Sequence, residues 1–562
     1  MNARAAKTST IAVVGGGSVA TSFVRQLAER LKASPAKSVE EVLVFEPHLQ
    51  PGAGAAYQAD TASNLLNTRV ASMSPITGRP THFRDWLGAN KARWQPMFPG
   101  LEPNDDSFVP RALFGSYLNE VFVEAVGSLR QQGVRVRHVT SRVAAIRRLP
   151  TVYEVVTAQG KVHAVPCVVL AIGNLETSDW DHLQRHDRYF NTPYPCNKVV
   201  ERIDSKKSVC IIGSSLSAID AAVSLSDAGH EGKIVMVSRN GRLPSVRGEQ
   251  NLKRAPKLLS RERMRELAAI KAGGVSLTEI AQLLLKELEI CEERHPSLDD
   301  IMRKGEGPHR YLDSEIAEAT ECDRAWQAIV YALNDSIDLI WHMLSLDQKR
   351  EFQSKFKSLW HSYRVSFPIQ NALKLQKLLH TDQLTVYGGY KDAFYDDAKG
   401  RFSVAIDDCR KRFEATLFAD YLVNATGYTN DVTRCRSSLV RGLLNSGLAC
   451  ANEFGGINID FDTGRVVARS GLPMPGLFAL GSLASGTYFW TNAMSVNTRL
   501  AAGVVEQALK DCERSAEDDA ERVNDFAAPG VLRPALISSH SPTLFEVDRR
   551  AMSHRVLGGA GP

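Results

Sequence analysis

Gly15, Gly17 and Ala20 stand one, three and six residues after the apolar run Ile11–Val14, and Gly213, Ser215 and Ala218 keep the same spacing after Val209–Ile212. Small residues in this order let a strand turn tightly into a helix, admit a ligand close to the backbone, and pack the helix on the strand. The chemistry that follows is capture of a pyrophosphate at a helix N-terminus, where unpaired N–H groups and the helix dipole favour negative charge. Ser18 and Ser217, just inside the two helices, belong to the same candidate cradles. The residue ending the next strand then discriminates between nucleotides. Glu46 closes Val42–Phe45; its carboxylate suits a ribose and repels a 2′-phosphate. Arg239 follows Lys233–Val237, with Arg242 beyond it, and a guanidinium there matches a 2′-phosphate and stacks on adenine. The first turn therefore suits FAD or NAD, and the second suits NADPH. Ser215 replaces the middle glycine of the second turn, which narrows the approach while offering a hydroxyl to phosphate.

The elements that must position these residues are α/β in pattern. Phe23, Leu27 and Leu31 mark the helix after the first turn. A strand over 134–143, a meander through 153–156 and 161–165, and a strand entering Ala171-Ile172-Gly173 complete the first block. The second block opens at Ser208, and residues 250–375 are helical in character. Within them Ser276-Leu277-Thr278-Glu279 is a capping box, followed by an apolar face at Leu277, Ile280, Leu284, Leu288 and Cys291. A second stripe runs from Trp326 to Leu344; both stripes read as core packing. The basic cluster Lys253, Arg254, Lys257, Arg261, Arg263 and Arg265 reads as a solvated helix face. Strands return at 384–387, 401–406, 421–424 and 476–481, and a helix over 492–508 closes the pattern. The fold class is α/β, with two dinucleotide-binding Rossmann-type domains and a helical insertion. The expected division is an FAD-binding domain over 1–205, an NADP-binding domain over 206–420 with the insertion at 250–375, an FAD-domain return over 421–510, and a loosely ordered tail over 511–562.

Composition excludes several classes. A net charge of +5 over 562 residues does not describe a nucleic-acid binder. The nine cysteines contain no Cys-x-x-Cys pair, which argues against structural zinc and against a redox-active dithiol beside a flavin. No apolar run approaches the ~20 residues a membrane span needs. The opening residues superficially resemble a signal peptide, but removing them would delete the first strand and its glycine turn, so they read as fold and the cytoplasm is the expected compartment.

The order of FAD-type turn, Ala171-Ile172-Gly173-Asn174, NADP-type turn and Ala425-Thr426-Gly427-Tyr428 resembles the two-dinucleotide flavoprotein monooxygenases. Gly54-Ala55-Ala56-Tyr57 with Asn64-Leu65-Leu66-Asn67, Phe83 and Trp86, Ser238 to Pro244, and Tyr363-Arg364 to Pro368 are similar to the group related to amino-acid N-hydroxylases, including nitrosuccinate-forming aspartate enzymes. The likeness covers roughly residues 1–505. It implies FAD and NADPH as cofactors, with Val143, Gly173, Thr426, Gly427, Gly481 and Ser482 joining the cofactor contacts. It also implies a small-molecule amine substrate with O2, oxygenated through a flavin C4a-hydroperoxide, and allows a homo-oligomer. Gly481-Ser482 departs from the Gly-Asp often found there. No Phe-x-Gly-x-x-x-His-x-x-x-Trp stands between the turns, which argues against a Baeyer–Villiger ketone oxygenase. The flavin carries the chemistry, so no side chain is assigned a catalytic role. Asn67 and Asn492 are candidates for flavin-edge or substrate contacts, and Arg364 for a substrate carboxylate or a structural salt bridge. The rival readings are a flavin-dependent NADPH reductase or oxidase, and a non-catalytic flavoprotein that uses its helical insertion to bind a partner.

Overall fold

A computed structural model describes residues 10–33, 39–248, 255–271, 274–292, 307–322, 324–408 and 413–527. The chain divides into units Met1–Glu517 and Asp518–Pro562; the second is described only by its helical residues 518–527. Two parallel sheets dominate the first unit. The first has the order β18-β19-β7-β1-β2-β3, built from β1 (Thr10–Val14), β2 (Glu41–Phe45), β3 (Arg135–Val139), β7 (Cys167–Leu170), β18 (Arg465–Val467) and β19 (Pro473–Ala479). Only β18 runs antiparallel, along β19. Ile11–Val14 pairs with Val42–Phe45 on one side and Cys167–Leu170 on the other, and all these residues are buried. Continuous apolar runs suit strands covered on both faces.

One face of that sheet is covered by helices α1 (Ser18–Ala33), α2 (Arg111–Gln131) and the 494–512 part of α11 (Met494–Ala527), through Phe23, Leu27, Leu129 and Val505. The other carries the antiparallel meander β4 (Val143–Arg148), β5 (Tyr153–Thr157) and β6 (Val162–Val165).

The second sheet has the order β13-β10-β9-β17-β8: β8 (Tyr189–Phe190), β9 (Val209–Ile212), β10 (Ile234–Val237), β13 (Leu384–Tyr387) and β17 (Tyr421–Asn424), all parallel. It thus takes strands from residues on either side of the 206–420 span. Helices α3 (Leu216–Asp227) and α10 (Ile369–His380) pack on one face. The antiparallel strands β14 (Tyr390–Asp396), β15 (Arg401–Asp408) and β16 (Phe413–Ala419) pack on the other.

Between these strands lie α4 (Arg261–Ile270), α5 (Leu277–Glu292), α6 (Pro308–Glu321), α7 (Ala325–Ala332), α8 (Ile337–Met343) and α9 (Lys357–Arg364). A short parallel pair, β11 (Ser245–Val246) with β12 (Ser366–Phe367), joins the two ends of the insertion. The capping box forms as read: Ser276 N–H donates to Glu279 Oε2 at 2.8 Å, and Glu279 N–H to Ser276 Oγ at 3.2 Å. The side chain of Cys291, with Lys253 and Arg254, lies outside the described residues.

The Trp326–Leu344 stripe packs as core, as expected, and its helix breaks at 333–336, where buried Ser336 donates to Leu259 O at 2.6 Å. Two expectations are corrected. Arg261 is not a solvated helix-face residue, because its guanidinium holds both oxygens of the buried Asp338 carboxylate. The closing helix starts at Met494, after Asn492, and continues to Ala527 instead of giving way to a loose tail at 511. Buried Asp511 explains the continuation, since it pairs with Arg465 at 2.6 Å and accepts from Gly476 N–H at 2.8 Å. No described helix is long and apolar enough to cross a membrane.

Candidate functional site: two nucleotide turns and a buried cationic corner

The two turns are built alike. Gly15 has φ +105°, and a Cβ there would lie 2.2 Å from Ala171 O; Gly213 has φ +130°, and a Cβ would lie 2.5 Å from Ala425 O. Both glycines are therefore required twice over, by backbone conformation and by the neighbouring strand end. That strand end is fixed by Ala171 N–H to Val14 O in one sheet and Ala425 N–H to Ile212 O in the other, each at 2.8 Å. Two residues on, Gly173 and Gly427 adopt φ +74° and +86°, and a Cβ at either would meet nothing within 4 Å. Open space thus lies beside each turn, the room a dinucleotide needs.

At the first turn, Glu46 Oε2 accepts from Gly16 N–H at 2.8 Å, while Oε1 accepts from His48 N–H at 3.0 Å and meets His48 Nδ1 at 2.6 Å. A carboxylate has about four acceptor sites, so one remains for a ribose hydroxyl. Ser18 opens α1, Ala20 is fully buried, and a Cβ on Gly481 would lie 3.5 Å from Val19 Cγ2. Ser482 Oγ reaches Asn174 Oδ1 at 2.7 Å and so ties the late turn to the 171–174 strand end. The Gly52–Tyr57 segment lies across the turn: Gly52 N–H donates to Gly16 O at 2.6 Å, and a Cβ on Gly54 would strike Gly17 Cα at 2.8 Å. The residues fit an FAD pyrophosphate. Val143 is buried at the start of β4, in the hydrophobic cluster that contains Val14 and Phe45.

At the second turn, Ser215 N-caps α3 without a side-chain cap bond, which leaves N–H groups for an anion. Ser217, Gly427, Tyr428, Tyr194, Asn424 and Glu176 line a small cleft here. Thr426 is turned inward on itself, its hydroxyl donating to Asn424 Oδ1 at 2.7 Å. Arg239 is exposed and has no side-chain hydrogen-bond partner among the described residues. Asn240 Nδ2 donates to Ser358 Oγ at 3.1 Å, joining the loop after β10 to α9. Lys357, on that helix, has its pKa pushed down by burial and by Arg239, so two cations face the expected 2′-phosphate position.

Beside the second turn is a buried lock that sequence reasoning missed. Arg111 on α2 pairs with Asp220 on α3 at 2.7 Å, and Tyr194 donates to the same carboxylate at 2.5 Å. Burial raises the Asp220 pKa although Arg111 opposes it. Asp60 adds a second tie by accepting Cys196 N–H at 2.9 Å and Asn197 N–H at 3.0 Å.

Arg364, a candidate from the sequence, is 4% exposed and forms no ion pair among the described residues. It donates to Asn334 Oδ1 and lies 4.3 Å from the Tyr331 ring centre and 4.7 Å from that of Trp490. Burial pushes its pKa down to about 10. Trp490 precedes exposed Asn492 and follows Phe489, whose φ of +63° turns the chain into this segment. Half-buried Asn67 lies two residues before Arg69, which donates to Gly248 O at 2.6 Å and so brings the 65–69 segment to the same corner. Arg247 and Tyr331 were not singled out by sequence. A polar Tyr331 inside an apolar stripe was the available signal.

Residues 12–175 match the profile of the FAD-NAD(P)-binding family. An uncharacterised protein of Mycobacterium tuberculosis is 24% identical over 344 residues, which cover 52% of this chain and 62% of that relative. The match thus spans less than two thirds of the relative's length. L-lysine 6-monooxygenase from Pseudomonas syringae shares the fold at TM-score 0.54 and 15% identity, over 91% of this chain and 100% of that one. The reduced form of ornithine hydroxylase from Pseudomonas aeruginosa does so at TM-score 0.50 and 15% identity, over 90% and 99%. Residues 12–175 therefore match an FAD-NAD(P)-binding segment, set within a chain whose fold is shared with those two enzymes.

Proposed function

We propose that this protein is an FAD- and NADPH-dependent monooxygenase that N-hydroxylates a primary amine, with an acidic amino acid such as aspartate as the substrate. The observation that carries the reading is the pair of like-built turns with opposite discriminators, Glu46 at the first and Arg239 at the second. The solved enzymes that share the fold are named for oxygenating lysine and ornithine, and support the reaction class.

When bound, the flavin supplies hydride acceptance from NADPH and activation of O2. The chain's own residues position and shield. The Gly15–Ala20 turn and the N-terminus of α1 hold the FAD pyrophosphate, and Glu46 holds its ribose. Ser215 and Ser217 bind the NADPH pyrophosphate, and Arg239 its 2′-phosphate. Asn67 and Asn492 take flavin-edge or substrate contacts, and Arg364 takes a substrate carboxylate. Water is kept out by packed rings: Trp341 stacks on Phe489 at 4.7 Å, with Phe352 and Trp490 around them.

The test is stopped-flow reoxidation of the NADPH-reduced holoenzyme by O2 against a panel of amines, with hydroxylamine product assayed. Two-phase reoxidation whose second phase responds to one amine, with matching hydroxylamine, is the expected result. One-step reoxidation with stoichiometric peroxide and no response to any amine overturns it in favour of an oxidase.

A further inference from the structure

Four arginines are buried among the described residues: Arg69, Arg247, Arg324 and Arg364. Arg69 pairs with Asp106, and Arg324 with Glu315 at 2.8 Å. The half-buried Arg261 and Arg499 likewise share Asp338, each at 2.8 Å. Arg247 and Arg364 break the pattern, since neither meets a carboxylate among the described residues. Both lie on one phenol, with the guanidinium carbon of Arg247 3.4 Å and that of Arg364 4.3 Å from the Tyr331 ring centre. Nε and Nη1 of Arg247 and Nε of Arg364 are buried without a hydrogen-bond partner. Cation–π contact offsets a small part of the cost of burying a charge, and two like charges on one ring add to that cost.

We propose that Arg247 and Arg364, with Tyr331 between their charges, form a binding site for a small dianion carrying two carboxylates, in which Arg247 is a second, specificity-determining anchor. Each guanidinium presents a planar fork with unused donors, the geometry a carboxylate fills. A singly charged ligand leaves one buried cation uncompensated; a diamino acid adds a net third positive charge, and a simple diamine adds two. The site discriminates by charge against diamino acids. Its place is set by Trp490, which Arg364 faces, and by Asn334, which accepts from Arg364 and donates to Ser495 Oγ at 3.4 Å in the first turn of α11. Ser366, beside Arg364 on β12, holds the Tyr331 hydroxyl at 2.6 Å and so fixes the ring. The inference rests on the proposed function only for the statement that this dianion is the amine to be oxygenated.

The test uses the oxidised FAD holoenzyme, with no NADPH and no turnover, so its outcome is independent of whether hydroxylation occurs. Succinate, butyrate, inorganic phosphate and 1,4-diaminobutane are titrated by calorimetry and by thermal shift. Succinate should bind at least about tenfold tighter than butyrate, as one extra charged hydrogen-bonding pair implies. The diamine should not bind, and phosphate should bind more weakly than succinate. Arg247→Met should abolish the succinate-over-butyrate preference and, without ligand, melt no lower than wild type, because it removes an uncompensated buried charge. Equal affinity for succinate and butyrate on the wild type overturns the proposal, as does an Arg247→Met variant that keeps the preference. Phosphate binding tighter than succinate overturns the dicarboxylate assignment. If Arg247→Met fails to fold, Arg247→Lys and the wild-type ligand comparison decide between the same outcomes.

Discussion

Arg239 leaves its strand with the guanidinium in solvent, while Glu46 leaves the equivalent strand with its carboxylate buried and bonded to the turn it serves. The proposed roles differ accordingly: Arg239 would meet a phosphate with a free guanidinium, whereas the Glu46 carboxylate would bind ribose hydroxyls while bracing the turn. Arg239→Ala is expected to raise the KM for NADPH about tenfold or more and to leave the KM for NADH nearly unchanged, the loss of one charge-assisted contact. Steady-state kinetics with both nucleotides measures this, and equal effects on the two would reject the assignment. Gly15 carries a second residue-scale prediction. With φ at +105° and Ala171 O 2.2 Å from any Cβ, Gly15→Ala combines backbone strain with overpacking. It should lose flavin on gel filtration and cost about 2–4 kcal/mol in denaturant unfolding.

At the scale of single elements, α5 shows how a local rule survives in a crowded insertion. Its capping box satisfies two N–H groups reciprocally, and Glu279 also receives Lys271. The hydrogen bond from Lys271, then those from Ser276, hold the Glu279 carboxyl down at about 2. A depressed carboxylate contributes stability that is complete above its unfolded range and is lost as pH falls from that range toward about 2. Wild type should therefore melt above Glu279→Gln at neutral pH, and the gap should close across that acid window. A constant gap would assign the effect to helix propensity instead. The stripe from Trp326 to Leu344 shows the opposite case. Its periodicity is continuous, yet Ser336 reaches out to Leu259 O and the helix breaks, a tertiary bond that no local pattern contains.

Across the first unit, the two sheets are held in register by polar groups that lie far apart in sequence. Arg111, Tyr194 and Asp220 meet between α2 and α3, and Asp60 caps the 196–200 helix. Asp220→Ala leaves a buried guanidinium and phenol without their acceptor, so it should cost about 3–5 kcal/mol. It should also separate the unfolding of the two nucleotide modules. Flavin release and far-UV ellipticity, coincident in wild type, are the readouts; continued coincidence at unchanged midpoint would deny the lock its role. How much of this was legible follows from range. Both turns, the strands feeding them, Glu46, Arg239 and the capping box could be read because each depends on sterics and charge within a few residues: a Cβ too many at Gly15, an acid or a base at a strand end. Arg364 could be nominated but not understood, since its lack of a carboxylate partner is a fact about Asn334, Tyr331 and Trp490. Arg247 could not be nominated at all. Whether an arginine is a solvated charge, half of an ion pair or an unpaired donor awaiting an anion depends on what long-range packing places around it, and only the tertiary structure decides that.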